Sequence, residues 1–335
     1  RLGTVMRAAT DDPREAEGVC NPAAARSADG ELYLFPRIVA AGNYSRVGRA
    51  QVEFEQGLPI GVRRLGVALE PTEPWERNSQ TAGVEDPRIT RLDELDVWVM
   101  CYSAYGPLGA KVAVAVSDDL VTWRRLGPVA FCYEPALGAD LTLCPNKDAA
   151  FFPQIVRDPD GQPALALLHR PFFRMGAMIP GAPTILPAGV DDPRESIWIS
   201  YVPLAAAKDD LRALTWVRGH RLLARPEFGW EEVKIGAGPP PIRTDAGWLL
   251  IHHGVREGAG GVKYAAGAML LDQDDVSRVI WRSPEPLLRP ETGDELSGTV
   301  DHVVFPTAID VTPGGRTIVY YGMADDKIGA AQLDL

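Results

Sequence analysis

The stretch GVEDPRI (Gly83–Ile89), with a turn at Leu92–Leu95 and the run VWVMCY (Val97–Tyr102) after it, indicates the type of fold. A charged cluster opens this segment, and a β-branched and aromatic run closes it after a short polar turn. Such an order is typical of two antiparallel strands joined by a turn. The segment therefore predicts a β-hairpin whose first strand begins with polar side chains.

The same arrangement recurs along the whole chain of 335 residues. Counted from their polar openings, five units begin at Asn21, Val84, Asn146, Lys234 and Val303, with spacings of 63, 62, 88 and 69 residues. A unit of this length holds four short strands and their loops, which is the content of one propeller blade. We therefore predict an all-β fold, a single five-bladed β-propeller domain over residues 1–335, with the polar openings converging on one central channel. A β-sandwich with coincidentally similar hairpins is the alternative, and the one short helix is expected around Pro203–Leu214.

Composition excludes several classes of partner. The net charge is −11, from 34 Lys and Arg against 45 Asp and Glu, and an acidic surface repels nucleic acids and anionic membranes. The apolar runs are shorter than the roughly 18 residues that a membrane helix needs, and no signal-like segment opens the sequence. The four cysteines form no CxxC pair and suit a reducing compartment, so we expect a cytoplasmic protein.

The adjacent carboxylates Glu85 and Asp86, followed by Pro87 and Arg88, are the sharpest candidate for chemistry. On a regular strand successive side chains face opposite sides, so only one of the two carboxylates would point into the channel. An Asp-Pro turn with an ion pair is the structural alternative. The nearly identical string GVDDPR (Gly189–Arg194) lies between two units and is interpreted as a loop.

Cationic and aromatic side chains recur at unit openings and strand ends. On an acidic chain, cations repeatedly placed where the units should converge predict an anion site. No His, Cys and carboxylate spacing resembles a metal site, and no phosphate-binding loop or dinucleotide fingerprint is present. The residues of this set are Arg37, Lys147, Arg170, Lys234, His253 and, eleven positions later, Tyr264.

These strings resemble glycoside hydrolase family 130, the mannoside phosphorylases and related mannosidases built on five-bladed β-propellers. The resemblance rests on stretches that run in family order: GVEDPRI, NKDAAFFP (Asn146–Pro153), His169–Pro171, KIGAGPPPI (Lys234–Ile242), WLLIHHGV (Trp248–Val255), Tyr264–Leu271 and YYGMADDKIG (Tyr320–Gly329). It implies that Asp86 is the general acid. It further implies phosphate contacts for Lys147, Arg170, Lys234, His253 and Tyr264, and sugar contacts for Asn21, Arg37, Glu85, Asp148 and Asp325. Between His169 and Lys234 this chain carries extra sequence, in the region where acceptor specificity is expected.

The residue set favours phosphorolysis over hydrolysis. An inverting hydrolase needs a second carboxylate to activate water, whereas an inverting phosphorylase needs one acid and cations that hold phosphate. We therefore expect an enzyme that cleaves terminal β-mannosides, β-1,4- or β-1,2-linked, with inorganic phosphate as co-substrate and no cofactor, and that gives α-mannose 1-phosphate. The alternatives are an inverting β-mannosidase and a non-catalytic carbohydrate-binding propeller. The base of the mannosidase would be Glu85, Asp148 or Asp325, with Glu231 or Glu232 as further candidates. Small-molecule oligosaccharide and phosphate are the expected partners, and homo-oligomer formation is left open.

Overall fold

The computed structural model describes residues 1–77, 82–107, 109–174, 181 and 184–334. Strands dominate this part of the chain, so the predicted all-β class is confirmed. The two α-helices, Leu204–Asp209 and Gly293–Leu296, are short, and the first falls where the sequence predicts a helix. The 3-10 helices are Pro13–Glu15, Pro74–Glu76, Asp93–Leu95, Pro135–Leu137, Leu211–Thr215 and Gly229–Glu231. None of the helices in the described ranges has the length and apolar character needed to cross a membrane.

The strands form five groups of antiparallel neighbours, numbered here one to five. Group one holds β2 (Gly18–Arg26), β3 (Leu32–Ala40), β4 (Tyr44–Glu55) and β5 (Leu58–Leu69). Group two holds β6 (Ala82–Leu92), β7 (Val97–Gly106), β8 (Gly109–Ser117) and β9 (Arg124–Pro128). Group three holds β11 (Asn146–Phe151), β12 (Val156–Arg157), β13 (Pro163–Pro171), β14 (Ile197–Pro203) and β15 (Trp216–Ala224), to which β10 (Ala130–Phe131) adds a parallel edge.

Group four holds β16 (Lys234–Ala237), β17 (Ile242–Thr244), β18 (Gly247–Gly258), β19 (Gly261–Leu271) and β20 (Val279–Arg282). Group five holds β21 (Val304–Val311), β22 (Thr317–Met323), β23 (Lys327–Leu333) and the N-terminal strand β1 (Gly3–Arg7), which pairs with β23. A short parallel pairing of β4 with β6 joins groups one and two into one sheet. Each predicted unit start lies on or beside the first strand of one group.

Apolar clusters lie between successive groups. Phe35 and Met100 share a cluster between groups one and two, and Phe151 and Val99 share one between groups two and three. Further clusters join group three to four and group four to five, and one that contains Leu34 and Ile318 joins group five back to group one. The groups are therefore connected through their cores in sequence order, with the last in contact with the first.

The first strands of groups one to three carry bulges where their polar residues lie. The register shifts between Cys20 and Ala23, between Glu85 and Arg88, and between Lys147 and Ala150. Each bulge contains one residue with positive φ: Asn21 (45°), Asp86 (47°) and Asp148 (54°). Asn and Asp enter this left-handed region more easily than other non-glycine residues, and a bulge redirects side chains. The condition of a regular strand is therefore not met at Glu85 and Asp86, because Asp86 lies within the bulge between Glu85 and Arg88.

A buried glutamate anchors the short helical turn that precedes each of four groups. Glu231 accepts hydrogen bonds from the backbone N–H groups of residues 227 and 228, from His252 Nε2 (2.8 Å) and from Arg282 Nη2 (2.6 Å). Glu15 and Glu76 bind an Arg from the outer strand of their group, and Glu295 binds Arg1, which precedes β1. Glu76 and Glu295 also accept a hydrogen bond from a tyrosine hydroxyl. These contacts tie the helical turn to the strands and so stabilise the position of the polar strand beginnings.

Candidate active site

One cavity of about 460 Å³ collects polar side chains from all five groups. Nine of the eleven residues proposed from the sequence line it: Asn21, Arg37, Asp86, Lys147, Asp148, Arg170, Lys234, Tyr264 and Asp325. The remaining lining residues include Tyr105, Phe172, Glu195 and Phe305. Glu85 lines an adjoining cavity of about 500 Å³, which shares Arg37, Tyr105, Lys147 and Asp325 with the first. The structure therefore brings nine of these residues together in one cavity and places Glu85 in the adjoining one.

Asp86 lies in the cavity wall and is 7% exposed. Its Oδ1 accepts hydrogen bonds from Asn21 Nδ2 (2.9 Å) and Arg37 Nη1 (3.3 Å), and its carbonyl oxygen accepts one from Arg88 Nη1 (2.7 Å). Burial by itself would raise the pKa of the carboxyl group, but the charges of Arg37 and Lys147 outweigh it and hold that pKa below its usual value. The carboxyl group of Asp86 is therefore ionised in this environment.

Arg37 is saturated by local partners. Its Nη2 donates to Glu85 Oε1 (3.1 Å) and Asn43 Oδ1 (2.8 Å), and its Nε donates to Ser45 Oγ (2.8 Å). Because the bulge brings Glu85 and Asp86 to the same guanidinium, both carboxylates pair with Arg37. Arg37 thus sets the electrostatics of Asp86 and has little capacity left for an external anion.

Three cations from groups three and four face the cavity around a common region. Lys147 Nζ pairs with Glu85 Oε2 (3.1 Å), and Arg170 Nε donates to Asp148 Oδ2 (2.5 Å). Burial, and next the charge of Arg170, lower the pKa of Lys234 to about 7, against the opposing effect of Asp148. A cluster of like charges that depresses the pKa of one member favours binding of an anion, because the anion relieves the repulsion.

His253 lies behind the cavity and differs from the expectation of a further cation. Its side chain is 0% exposed, with Nε2 3.6 Å from Asp148 Oδ2 and its ring 4.5 Å from the ring of Phe305. Burial holds the pKa of His253 well below its usual value, so the imidazole is neutral. Its ring lies beside Asp148 and near the ring of Tyr264, at a centroid distance of 6.1 Å. Gly236 permits this arrangement, because a Cβ there would lie 2.3 Å from Asp148 Oδ2.

Two carboxylates of the wall differ sharply in their protonation. The charge of Arg170 and its neighbours outweighs burial and holds the pKa of Asp148 far below its usual value. Burial, with the charges of Asp86 and Glu85, raises the pKa of Asp325 to about 6 although Arg37 opposes it. Asp148 is therefore a permanent anion, whereas Asp325 exchanges a proton near neutral pH.

The sequence prediction missed Arg88 and Glu195. Arg88 is 1% exposed and binds Asp148 Oδ1 (3.4 Å) and the carbonyl oxygens of Ala237 (3.3 Å) and Gly238 (3.2 Å), below the cavity. Glu195 follows the string Gly189–Arg194, whose loop conformation is confirmed, and contacts Arg170 Nη1. Nothing local marks these residues, because their partners lie in other groups. Part of the extra sequence between His169 and Lys234, residues 175–180 and 182–183, lies outside the described residues.

No cluster of three potential metal ligands occurs in the described part of the chain. The cavity instead combines several carboxylates, Asp86 among them, with a group of cations, and the rings of Tyr105 and Phe172 also line it. Carboxylates, cations and aromatic rings of this kind are suited to bind an oligosaccharide and an anion together.

The family comparison agrees with this chemistry. A family model for glycoside hydrolase family 130, described as beta-1,4-mannooligosaccharide phosphorylase, matches residues 1–335, and the chain belongs to this family. The family resemblance seen in the sequence is thus confirmed.

Named relatives cover most of the chain. A 1,2-beta-oligomannan phosphorylase of Thermoanaerobacter sp. (strain X514) is 28% identical over 338 residues, 99% of this chain and 95% of the relative. A beta-1,2-mannobiose phosphorylase of the same organism is 34% identical over 79% of this chain and 68% of its own length. A solved structure of the beta-1,2-mannobiose phosphorylase from Listeria innocua has a TM-score of 0.73 at 22% identity, over 99% of this chain and 94% of that chain, which shows a common fold.

Proposed function

We propose that this chain is an inverting β-mannoside phosphorylase. The observation that carries the proposal is the single cavity in which Asp86 lies together with Lys147, Arg170 and Lys234. A phosphorylase needs one proton donor and one phosphate site, and this cavity supplies both. Family membership and the phosphorylase names of the relatives support the same activity.

The five strand groups are the blades of a five-bladed propeller in this proposal, and residues 1–335 form one domain. Support comes from the chain of apolar clusters that returns from group five to group one and from the pairing of β1 with β23. A cavity lined by all five groups is what a central channel provides.

In the proposed reaction a phosphate oxygen attacks the anomeric carbon of a terminal β-mannosyl residue. The bond from that carbon to the leaving sugar oxygen breaks, and Asp86 donates a proton to this oxygen, directly or through a sugar hydroxyl. The products are α-mannose 1-phosphate and a sugar shortened by one residue. Lys147, Arg170, Lys234 and Tyr264 hold the phosphate, which converts the attack into a reaction within one complex.

Protonation of Asp86 depends on the bound phosphate in this mechanism. In the empty site, positive charges keep the Asp86 carboxyl group ionised. A bound phosphate neutralises Lys147 and Arg170 and raises the pKa of Asp86 toward the range in which it carries a proton. His253 supports this site from behind. The sugar is contacted by Asn21, Arg37, Glu85, Asp148 and Asp325.

The test is a product assay on β-1,4- and β-1,2-mannobiose with and without phosphate. Phosphate-dependent release of mannose 1-phosphate supports the proposal, and equal release of free mannose in phosphate-free buffer contradicts it. The second candidate is an inverting β-mannosidase, favoured by the position of Glu195 as a further carboxylate in the cavity. Free mannose as the main product would select this alternative.

The remaining expectations are proposals of the same kind. Inorganic phosphate is the co-substrate, without a cofactor. The free state of Cys20, Cys101, Cys132 and Cys144 supports a cytoplasmic location. Homo-oligomer formation stays a prediction that sedimentation or light scattering would test.

A further inference from the structure

Glu195 is a carboxylate placed inside the group of cations that the proposed function assigns to phosphate. Its backbone lies beside Lys234 in a parallel bridge, and its carbonyl oxygen accepts a hydrogen bond from the N–H of Ile235 (3.0 Å). Its side chain extends away from Lys234 and pairs with Nη1 of Arg170, a residue of group three. The Glu195 carboxylate therefore pairs with one edge of the Arg170 guanidinium in the wall of the cavity.

The two carboxylates on Arg170 differ in how easily they leave it. The side chain of Asp148 is 1% exposed and pairs with two guanidinium groups, those of Arg88 and Arg170. The side chain of Glu195 is 22% exposed, and its ion pair in the described part of the chain is the one with Arg170. A partly exposed side chain with one ionic contact moves into water at small cost, whereas a buried side chain with two does not.

We propose that Glu195 is an internal competitor of phosphate, which neutralises Arg170 in the empty site and leaves it when phosphate binds. The inference rests on the proposed function, because it needs Arg170 to be a phosphate ligand. An anionic side chain on that ligand weakens phosphate binding in two ways. Phosphate must displace it, and its charge then repels the bound dianion.

The test compares phosphate binding by the wild-type protein and Glu195→Gln, measured by titration calorimetry with inorganic phosphate in the absence of sugar at fixed ionic strength. The amide keeps the size of the side chain and removes its charge. We expect the dissociation constant for phosphate to fall by roughly fivefold, the equilibrium effect of losing one partly exposed ion pair. Asp191→Asn is the matched control, because Asp191 carries the same charge in the same loop and pairs with Arg225 instead. This control should bind phosphate as the wild type does.

The outcomes separate the inference from the proposed function. Unchanged or weaker phosphate binding by Glu195→Gln overturns the inference, even if the wild type makes mannose 1-phosphate. Tighter phosphate binding without any mannose 1-phosphate from the wild type supports the inference and contradicts the proposed function.

A third outcome concerns hydrolysis. If Glu195→Gln loses release of mannose in phosphate-free buffer and keeps its phosphate affinity, Glu195 activates water and the inference is overturned. Thermal unfolding checks that each variant is folded. If the Gln variant does not fold, Glu195→Ala, which also removes the carboxylate, should bind phosphate more tightly as well.

Discussion

Replacement of the proposed acid, Asp86→Asn, is the most direct test of the mechanism. The amide keeps the shape of the side chain, and its oxygen still accepts the hydrogen bond from Asn21 Nδ2. Arg37 retains its contacts with Glu85, Asn43 and Ser45, so no buried cation is left unpaired. The fold should therefore be preserved while the proton donor is lost.

The magnitude follows from the contribution of general acid catalysis. A positioned acid accelerates a reaction by about 10² to 10⁴, which corresponds to roughly 3–5 kcal/mol of activation free energy. We expect kcat on mannobiose to fall by this factor. An aryl mannoside with a nitrophenolate leaving group needs no protonation, so its phosphorolysis should fall by less than about tenfold.

The assay measures initial rates of mannose 1-phosphate and nitrophenol release at saturating phosphate. Asp192→Asn is the control, since Asp192 occupies the equivalent place in Gly189–Arg194 but pairs with Arg194 outside the cavity. It should retain full activity. Near-normal turnover of mannobiose by Asp86→Asn would refute the assignment of the acid, and an equal loss on both substrates would show that Asp86 binds substrate without donating a proton.

Three further predictions concern the surroundings of the site. Because the pKa of Lys234 is lowered to about 7, this side chain loses its charge as the pH rises through that value. The KM for phosphate should therefore increase between pH 6 and 8.5, and Lys234→Arg should remove this dependence. A constant KM in the wild type would contradict the prediction. Gly236→Ala should lower kcat/KM by up to about 100-fold, because the new Cβ displaces Asp148, whereas Gly229→Ala, which has open space, should be neutral in the same rate assay. Glu231→Ala should reduce the free energy of unfolding by about 3–5 kcal/mol, since it leaves Arg282 and His252 without their buried partner. The side chain of Glu227 is exposed, so Glu227→Ala should reduce this free energy by less than about 1 kcal/mol. Equal shifts of the two variants in denaturant melts would argue against the anchoring role of Glu231.

Local chemistry made much of the fold predictable. The five polar openings, each followed by a strand, turn and apolar strand, are written in short stretches of sequence, and each falls at the start of one strand group. Asn21, Asp86 and Asp148 carry a further local signal, because all three are residue types that accept a positive φ at a bulge. The alternation considered for Glu85 and Asp86 applies to a regular strand, and the bulge between Glu85 and Arg88 removes that condition.

Contacts between groups were not predictable in the same way. His253 follows the spacing of a cavity residue, yet it is covered by Phe305 and Tyr264 and supports Asp148 from behind. Arg88 looked like the partner of its own neighbours, but its guanidinium also binds carbonyl oxygens of group four. The residues of other groups that Arg88 contacts lie 60, 149 and 150 residues away in sequence.

The amino-acid sequence alone determined the all-β class, the repeated units and the residue types that gather at their openings, because strand periodicity, turns and charge are local properties. Only the tertiary structure decided which of these side chains share a cavity, that Arg37 is already neutralised by two carboxylates, and that Glu195 reaches Arg170. The reason is that a charge acts over a few ångströms of space, and folding brings together groups that the chain keeps far apart.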